Sequence, residues 1–148
     1  MSQILNLKSN YTMKLLIIYA DKFGFKTSNK GLENAETIDE ESVYNNTLVG
    51  FIHFEEKDEE NIATVETKMI KQLKWAARKN ETEKIILHSF AHLSESKGSP
   101  ELTKQLFNSA EERLKGAGYQ VSQTPFGYFL DLDVQAPGNS FARLFKEI

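Results

Sequence analysis

The sequence predicts a single α/β domain, compact, with a mixed sheet and about three helices. Three observations carry that expectation. Short β-prone apolar runs, such as KLLIIYA at 14–20 and EKIILHSF at 83–90, alternate with longer stretches whose apolar residues recur at helical spacing. A chain of 148 residues suits one domain that buries most of its apolar surface. Hydrophobic residues make up 40% and charged residues 26%, with 10 Phe to supply large buried areas.

Taken in order, residues 1–12 are polar and aperiodic and read as an extension before a domain at 13–148. KLLIIYA has the continuous apolar character of a strand covered on both faces. The mixed stretch 21–46 reads as an excursion of loops and short strands, and TLVGFIHFE at 47–55 as a second strand. A helix follows, because Ile62, Val65, Met69, Leu73 and Ala76 form one apolar stripe. Acids precede it and Arg78 and Lys79 close it, as the helix macrodipole favours. EKIILHSF is a third strand. Ser99-Pro100 then makes an N-cap and first turn for a helix over 100–115, ended by Gly116 and Gly118. GYQVSQ and FGYFLDLDV are two further strands with Thr124-Pro125 at the bend. Phe141, Leu144, Phe145 and Ile148 share one face of an expected closing helix. With no linker after that helix, a chain complete as given would be a stand-alone domain.

Several function classes drop out. There is no cysteine, hence no disulfide, thiolate nucleophile or Cys-ligated zinc, which fits a cytoplasmic home. The longest apolar run, LLIIYA, falls far short of the ~20 residues needed to cross a bilayer, and the N-terminus lacks the basic-then-apolar order of a secretory signal. No membrane partner is expected. GFG and GAG make neither a dinucleotide fingerprint nor a P-loop. At a net charge of −3, any nucleic acid must be held over a local patch or by another subunit.

The polar constellations each have a plain structural alternative. His88 and His92 lie four apart, but on a strand running into a turn rather than on a helix, which argues against a metal pair. His88 sits among core strand residues and reads as packing. His92 lies just past the C-terminal end of a strand, where α/β folds bind ligands, so a site role and a structural one both stand. His53, between Ile52 and Phe54, reads as a partly buried, hydrogen-bonded histidine. Asp131 and Asp133 alternate along one strand face and read as its wet side rather than an acid/base pair. Lys68, Lys71, Lys74 and Arg78 recur at helical spacing; a solvated helix face is the favoured reading, a phosphate-contacting stripe the other.

FAHLSE at 90–95, followed by TPFGYF at 124–129, resembles the archaeal threonyl-tRNA synthetase editing domain. KLLIIYADKF, LVGFIHFEEKDEEN and GNSFARLFKEI are similar to that family's opening strand, its second strand with an acidic lead-in, and its closing helix, so the resemblance spans about 13–148. It implies a D-aminoacyl-tRNA deacylase-like fold, a homodimer and, with no cofactor or metal, hydrolysis of serine from mischarged Ser-tRNA(Thr). The need is physical: a site built for threonine rejects serine by only one methyl, about 1–3 kcal/mol, so a second hydrolytic site must do the sorting. The implied partners are the tRNA acceptor end and, for a domain acting in trans, a threonyl-tRNA synthetase.

By the same resemblance His92 is the catalytic residue, ordering the site around the ester and terminal adenosine. Phe54 and Ala91 line the serine pocket. Phe126 lies near the adenine, and Gly127, Tyr128, Phe129 and Arg143 complete the substrate-binding set. Two positions depart from the family pattern: Leu130 stands where a lysine is expected, and Arg143 where a glutamate is. Arg143 is a candidate to replace the missing lysine's charge. The departures leave two alternatives: a weakened or inactive homologue that binds the aminoacyl-tRNA end or a synthetase, or a D-aminoacyl-tRNA deacylase.

Overall fold

The computed structural model describes residues 12–35 and 37–148, so the expected extension lies outside the described residues apart from Thr12. The elements run β1 (Lys14–Lys30), β2 (Glu41–His53), a 3-10 turn (Glu56–Asn61), α1 (Ile62–Lys79), β3 (Lys84–Ser89), α2 (Pro100–Gly116), β4 (Gln120–Gln123), β5 (Tyr128–Gln135), a short 3-10 turn (Ser140–Ala142) and β6 (Arg143–Glu147). They form one six-stranded mixed sheet in the order β4-β3-β2-β1-β5, with β6 also on β1. β2, β3 and β4 are parallel, joined by crossover helices; β1 is antiparallel to β2, β5 and β6.

The expected excursion at 21–46 is mostly a long hairpin. β1 and β2 stay paired from Lys14↔His53 to Lys26↔Glu41. Its distal half curls over, so that the N–H groups of Gly31 and Leu32 reach the carbonyl of Gly127, 2.6 and 3.1 Å away, in the bend after β4. The sheet separates two cores. Leu15, Ile17, Leu48, Ile52, Ile85 and Leu87 meet the apolar stripes of α1 and α2 on one face of the sheet. Phe23, Phe25, Val49, Phe51 and Ile86 fill the other, with His88 edge-on to Phe51 at 5.1 Å. His88 is packing, as the strand pattern suggests. Asp131 and Asp133 are exposed, and Asp133 pairs with Lys22 at 2.8 Å.

One expectation needs correcting. The closing segment is strand β6, not a third helix. β5 occupies the outer edge of β1 only from Lys22 onward, which leaves Lys14–Ile18 without a partner on that side. β6 takes it, placing Leu144 opposite Ile17 and Phe145 opposite Leu16. Residues spaced as Phe141, Leu144 and Ile148 fit a helix stripe, but a free strand edge offers backbone hydrogen bonds that a five-residue helix cannot match.

Candidate active site

β2 and β3 end side by side, and a cleft of about 250 Å³ opens beyond them. Ile52 and Phe54 from the end of β2, with Ser89 from β3, form its floor. This is the C-terminal end of the parallel strands, next to the N-terminus of α2, where open α/β sheets take ligands. Pro100 and Thr103 of α2 complete that side.

The first wall is the 91–98 loop, carrying Ala91, His92, Lys97 and Gly98. Buried His53 holds it at two points. Its Nδ1 accepts from the Leu93 N–H at 3.0 Å, so the proton sits on Nε2 and is donated to the Ser96 carbonyl at 2.6 Å. Gly98 closes on Phe54, donating its N–H to the Phe54 carbonyl at 2.8 Å. A Cβ at Gly98 would fall 2.0 Å from the Phe54 ring, so only glycine fits. The acidic segment after β2 pins the same wall. The Glu56 N–H donates to Ser96 Oγ at 3.1 Å, and Glu59 Oε2 accepts from the Ser99 N–H at 3.0 Å. Beneath it, buried Asp58 accepts from the Glu55 and Met13 N–H groups, and its carboxyl is pushed above the usual range, chiefly by burial.

The second wall is the TPFGYF bend. Thr124 Oγ1 lies 2.8 Å from His88 Nδ1, and Gly127 takes a φ of 84°, presenting its carbonyl to the hairpin tip. Tyr128 accepts the Ile38 N–H at 2.7 Å, and Phe126 packs on Phe107 of α2 with ring centres 6.3 Å apart. His92 is exposed, with its ring between Phe90 (5.0 Å) and Phe129 (6.3 Å), and makes no hydrogen bond among the described residues.

The two sequence segments thus face each other. Phe54, Ala91, His92, Phe126, Gly127, Tyr128 and Phe129 all line the one cleft. Arg143 does not. It lies exposed on β6 opposite Ile18, on the sheet face away from the helices. Leu130 packs against the Phe23–Phe51 core. The charged side chain at the cleft, among the described residues, is Lys97. Sequence reasoning missed Lys97 and Gly98, which adjoin the first motif, and Gly31 and Leu32, which arrive from the hairpin tip.

The whole described domain, residues 13–148, matches the family described as the Archaea-specific editing domain of threonyl-tRNA synthetase. The chain belongs to that family. As a member of the editing-domain family it is 32% identical over 139 residues to the threonine–tRNA ligase of Thermococcus gammatolerans and 30% identical to that of Pyrococcus horikoshii. In each case the match takes in 92% of this chain and 22% of the ligase, so the chain spans about a fifth of the relatives' length. A solved structure of the c-Myc DNA Unwinding Element Binding Protein shares the fold, with a TM-score of 0.63 at 13% identity, covering 91% of this chain and 98% of that one. The fold shared with that structure is the compact α/β domain with a mixed sheet that the sequence predicts, with two helices rather than three. No helix among the described residues is long and apolar enough to cross a membrane.

Proposed function

We propose that the chain is an aminoacyl-tRNA proofreading hydrolase that removes serine from Ser-tRNA(Thr), acting in trans as a homodimer. The observation that carries this reading is the convergence of the FAHLS and PFGYF segments on one cleft, with His92 unbonded between two aromatic rings at its mouth. Water adds to the ester carbonyl, the C–O bond to the terminal ribose breaks, and free serine and the ribose hydroxyl leave. His92 orients the water and the terminal ribose. Lys97 and the N-terminus of α2 stabilise the negative charge that develops on the carbonyl oxygen. Phe54, packed against Gly98, and Ala91 form the boundary to which this reading assigns the exclusion of threonine's extra methyl. The exposed apolar side chains Leu132, Val134 and Phe145 on the outer strands are the surface offered to a second copy.

The test is deacylation of Ser-tRNA(Thr) and Thr-tRNA(Thr) by the purified chain. The expected result is release of serine well ahead of threonine; equal inertness toward both overturns the reading. A second reading has a specific observation behind it. With Leu130 turned into the core and Arg143 outside the cleft, two polar groups of the family pattern are missing, which favours a binding-only homologue. Activity created only on restoring Lys at 130 and Glu at 143 supports that second reading.

A further inference from the structure

The geometry points to a second RNA-contacting surface: we propose that Lys71, Lys74 and Arg78 of α1 and Lys146 of β6, set around Trp75, grip the sugar–phosphate backbone of the RNA stem whose 3′ end enters the cleft. This rests on the reading of the cleft as one that takes an aminoacylated RNA end.

These four cations, with Gln72 and Trp75, line an open depression of about 480 Å³ on the flank of the domain. No carboxylate lines it, although the chain as a whole carries a net charge of −3. A solvated helix face accounts for Lys68, Lys71, Lys74 and Arg78 on its own terms. It does not account for Lys146, which arrives from the last strand, far away in sequence, and completes the ring from the other side. Among the described residues none of the four forms an ion pair, whereas Arg113, Lys115, Lys22 and Lys57 elsewhere on the surface each have an acidic partner. The neighbour of Lys146, Glu147, falls on the opposite face of β6 by strand alternation.

The floor matters as much as the rim. Trp75 is half-buried and braced from outside by Phe141 at 6.1 Å and by the Lys79 ammonium at 5.6 Å, so the indole is a fixed apolar plate inside a cationic ring. A ribose lies against such a plate while its flanking phosphates meet the cations; an acidic peptide or a hydrated anion has no use for the plate. α1 begins beside the cleft, after the 3-10 turn that anchors Ser99, and Lys71, Lys74 and Arg78 step away along it at about 4.5 and 6 Å of axial rise. An RNA stem whose tip lies in the cleft can run back along this flank. The overall acidity confines the grip to one face, which sets the direction of approach.

The test is binding of a fluorescent RNA stem-loop with a single-stranded 3′ tail, followed by anisotropy across a salt series. Lys71→Ala/Lys74→Ala/Arg78→Ala should weaken binding about 10- to 100-fold at low salt and reduce the slope of log K against log salt by about 2–3. Lys146→Ala should reduce the slope by about 1, and Lys71→Arg/Lys74→Arg should keep full affinity. Far-UV CD melting controls for folding. Unchanged affinity and slope in the triple variant overturn the inference, as does stronger competition by polyglutamate than by the RNA. Hydrolysis of 3′-seryl-adenosine, which has no stem, separates the two readings. If the wild type leaves that ester intact while the triple variant loses RNA binding, the function assigned to the cleft fails and the surface stands.

Discussion

The two walls of the cleft are each anchored by a buried histidine, and the anchors differ in kind. His53 clamps the 91–98 loop through both ring nitrogens, to a backbone donor and a backbone acceptor. His88 holds the 124–129 bend through one nitrogen, at a side-chain hydroxyl, and otherwise packs against Phe51 and Phe23. The first wall therefore adds two His53 hydrogen bonds to those made by Ser96, Gly98 and Ser99, whereas the second rests on packing, one His88 contact and the backbone contacts of Gly127. The wall that carries His92 is the more exactingly held, as the substrate-orienting role proposed for His92 requires.

Removing the first anchor should have the largest effect. His53→Ala leaves the Leu93 N–H and the Ser96 carbonyl without that partner in a part-buried setting and empties a buried ring site, at a cost of roughly 2–4 kcal/mol in stability, measured by urea unfolding. His92→Ala should leave the unfolding midpoint within about 0.5 kcal/mol, since the ring is exposed and unbonded, yet lower deacylation by about 100-fold. A His53 variant as stable as the wild type would break the contrast between the walls.

The second anchor shows itself through pH. Burial and the nearby His92 lower the His88 pKa from 6.5 to about 4. As pH falls below 6.5 the unfolded chain takes up a proton that the folded chain refuses until about pH 4, so stability falls across that window and levels off below it. The full loss is roughly 3 kcal/mol by the usual 1.36 kcal/mol per pKa unit. Asp58 acts in the opposite sense: its raised pKa makes the folded state the readier proton acceptor at low pH. Comparing His88→Gln with the wild type isolates the histidine, because Asp58 is common to both. The stability curves should converge as pH drops from 6.5 to 4; parallel curves would show that His88 titrates normally.

The glycines sharpen the same contrast. Gly98→Ala drives a Cβ into the Phe54 ring, and should cost about 1–3 kcal/mol and displace the first wall. Gly127→Ala meets its nearest atom at 3.0 Å but must adopt a φ of 84°, about 1 kcal/mol, with the wall left in place. Thermal melts rank the two, and the serine-to-threonine ratio of deacylation should change for the first alone.

What was legible in the sequence follows from how local each signal is. The central strands, both helices and the Ser99 cap are fixed by neighbouring residues, and those came through. The hairpin at 21–46 did not, because its strands are largely exposed beyond Phe25 and carry no apolar alternation. The spacing of the closing segment predicts a helix because it fits both periods; the deciding fact, a free edge on Lys14–Ile18, exists only in three dimensions. At the site, the two motifs name six lining residues, and the second-strand segment adds Phe54. Arg143 was carried over by resemblance alone, and strand register places it opposite Ile18 instead.

That displacement gives the smallest and most discriminating prediction. If positive charge at the cleft matters, Lys97 supplies it, since it lines the cleft and Arg143 does not. Lys97→Met keeps the length of the side chain and removes the charge from an exposed position, so stability should hold within about 0.5 kcal/mol. Deacylation should fall about tenfold, close to 1.4 kcal/mol of transition-state stabilisation, and Lys97→Arg should restore most of it. Arg143→Met should leave the single-turnover rate on 3′-seryl-adenosine unchanged. The reverse result, a silent Lys97 and a sensitive Arg143, would mean that the cleft is completed from across a subunit boundary, where an exposed residue on β6 of one copy reaches the site of another.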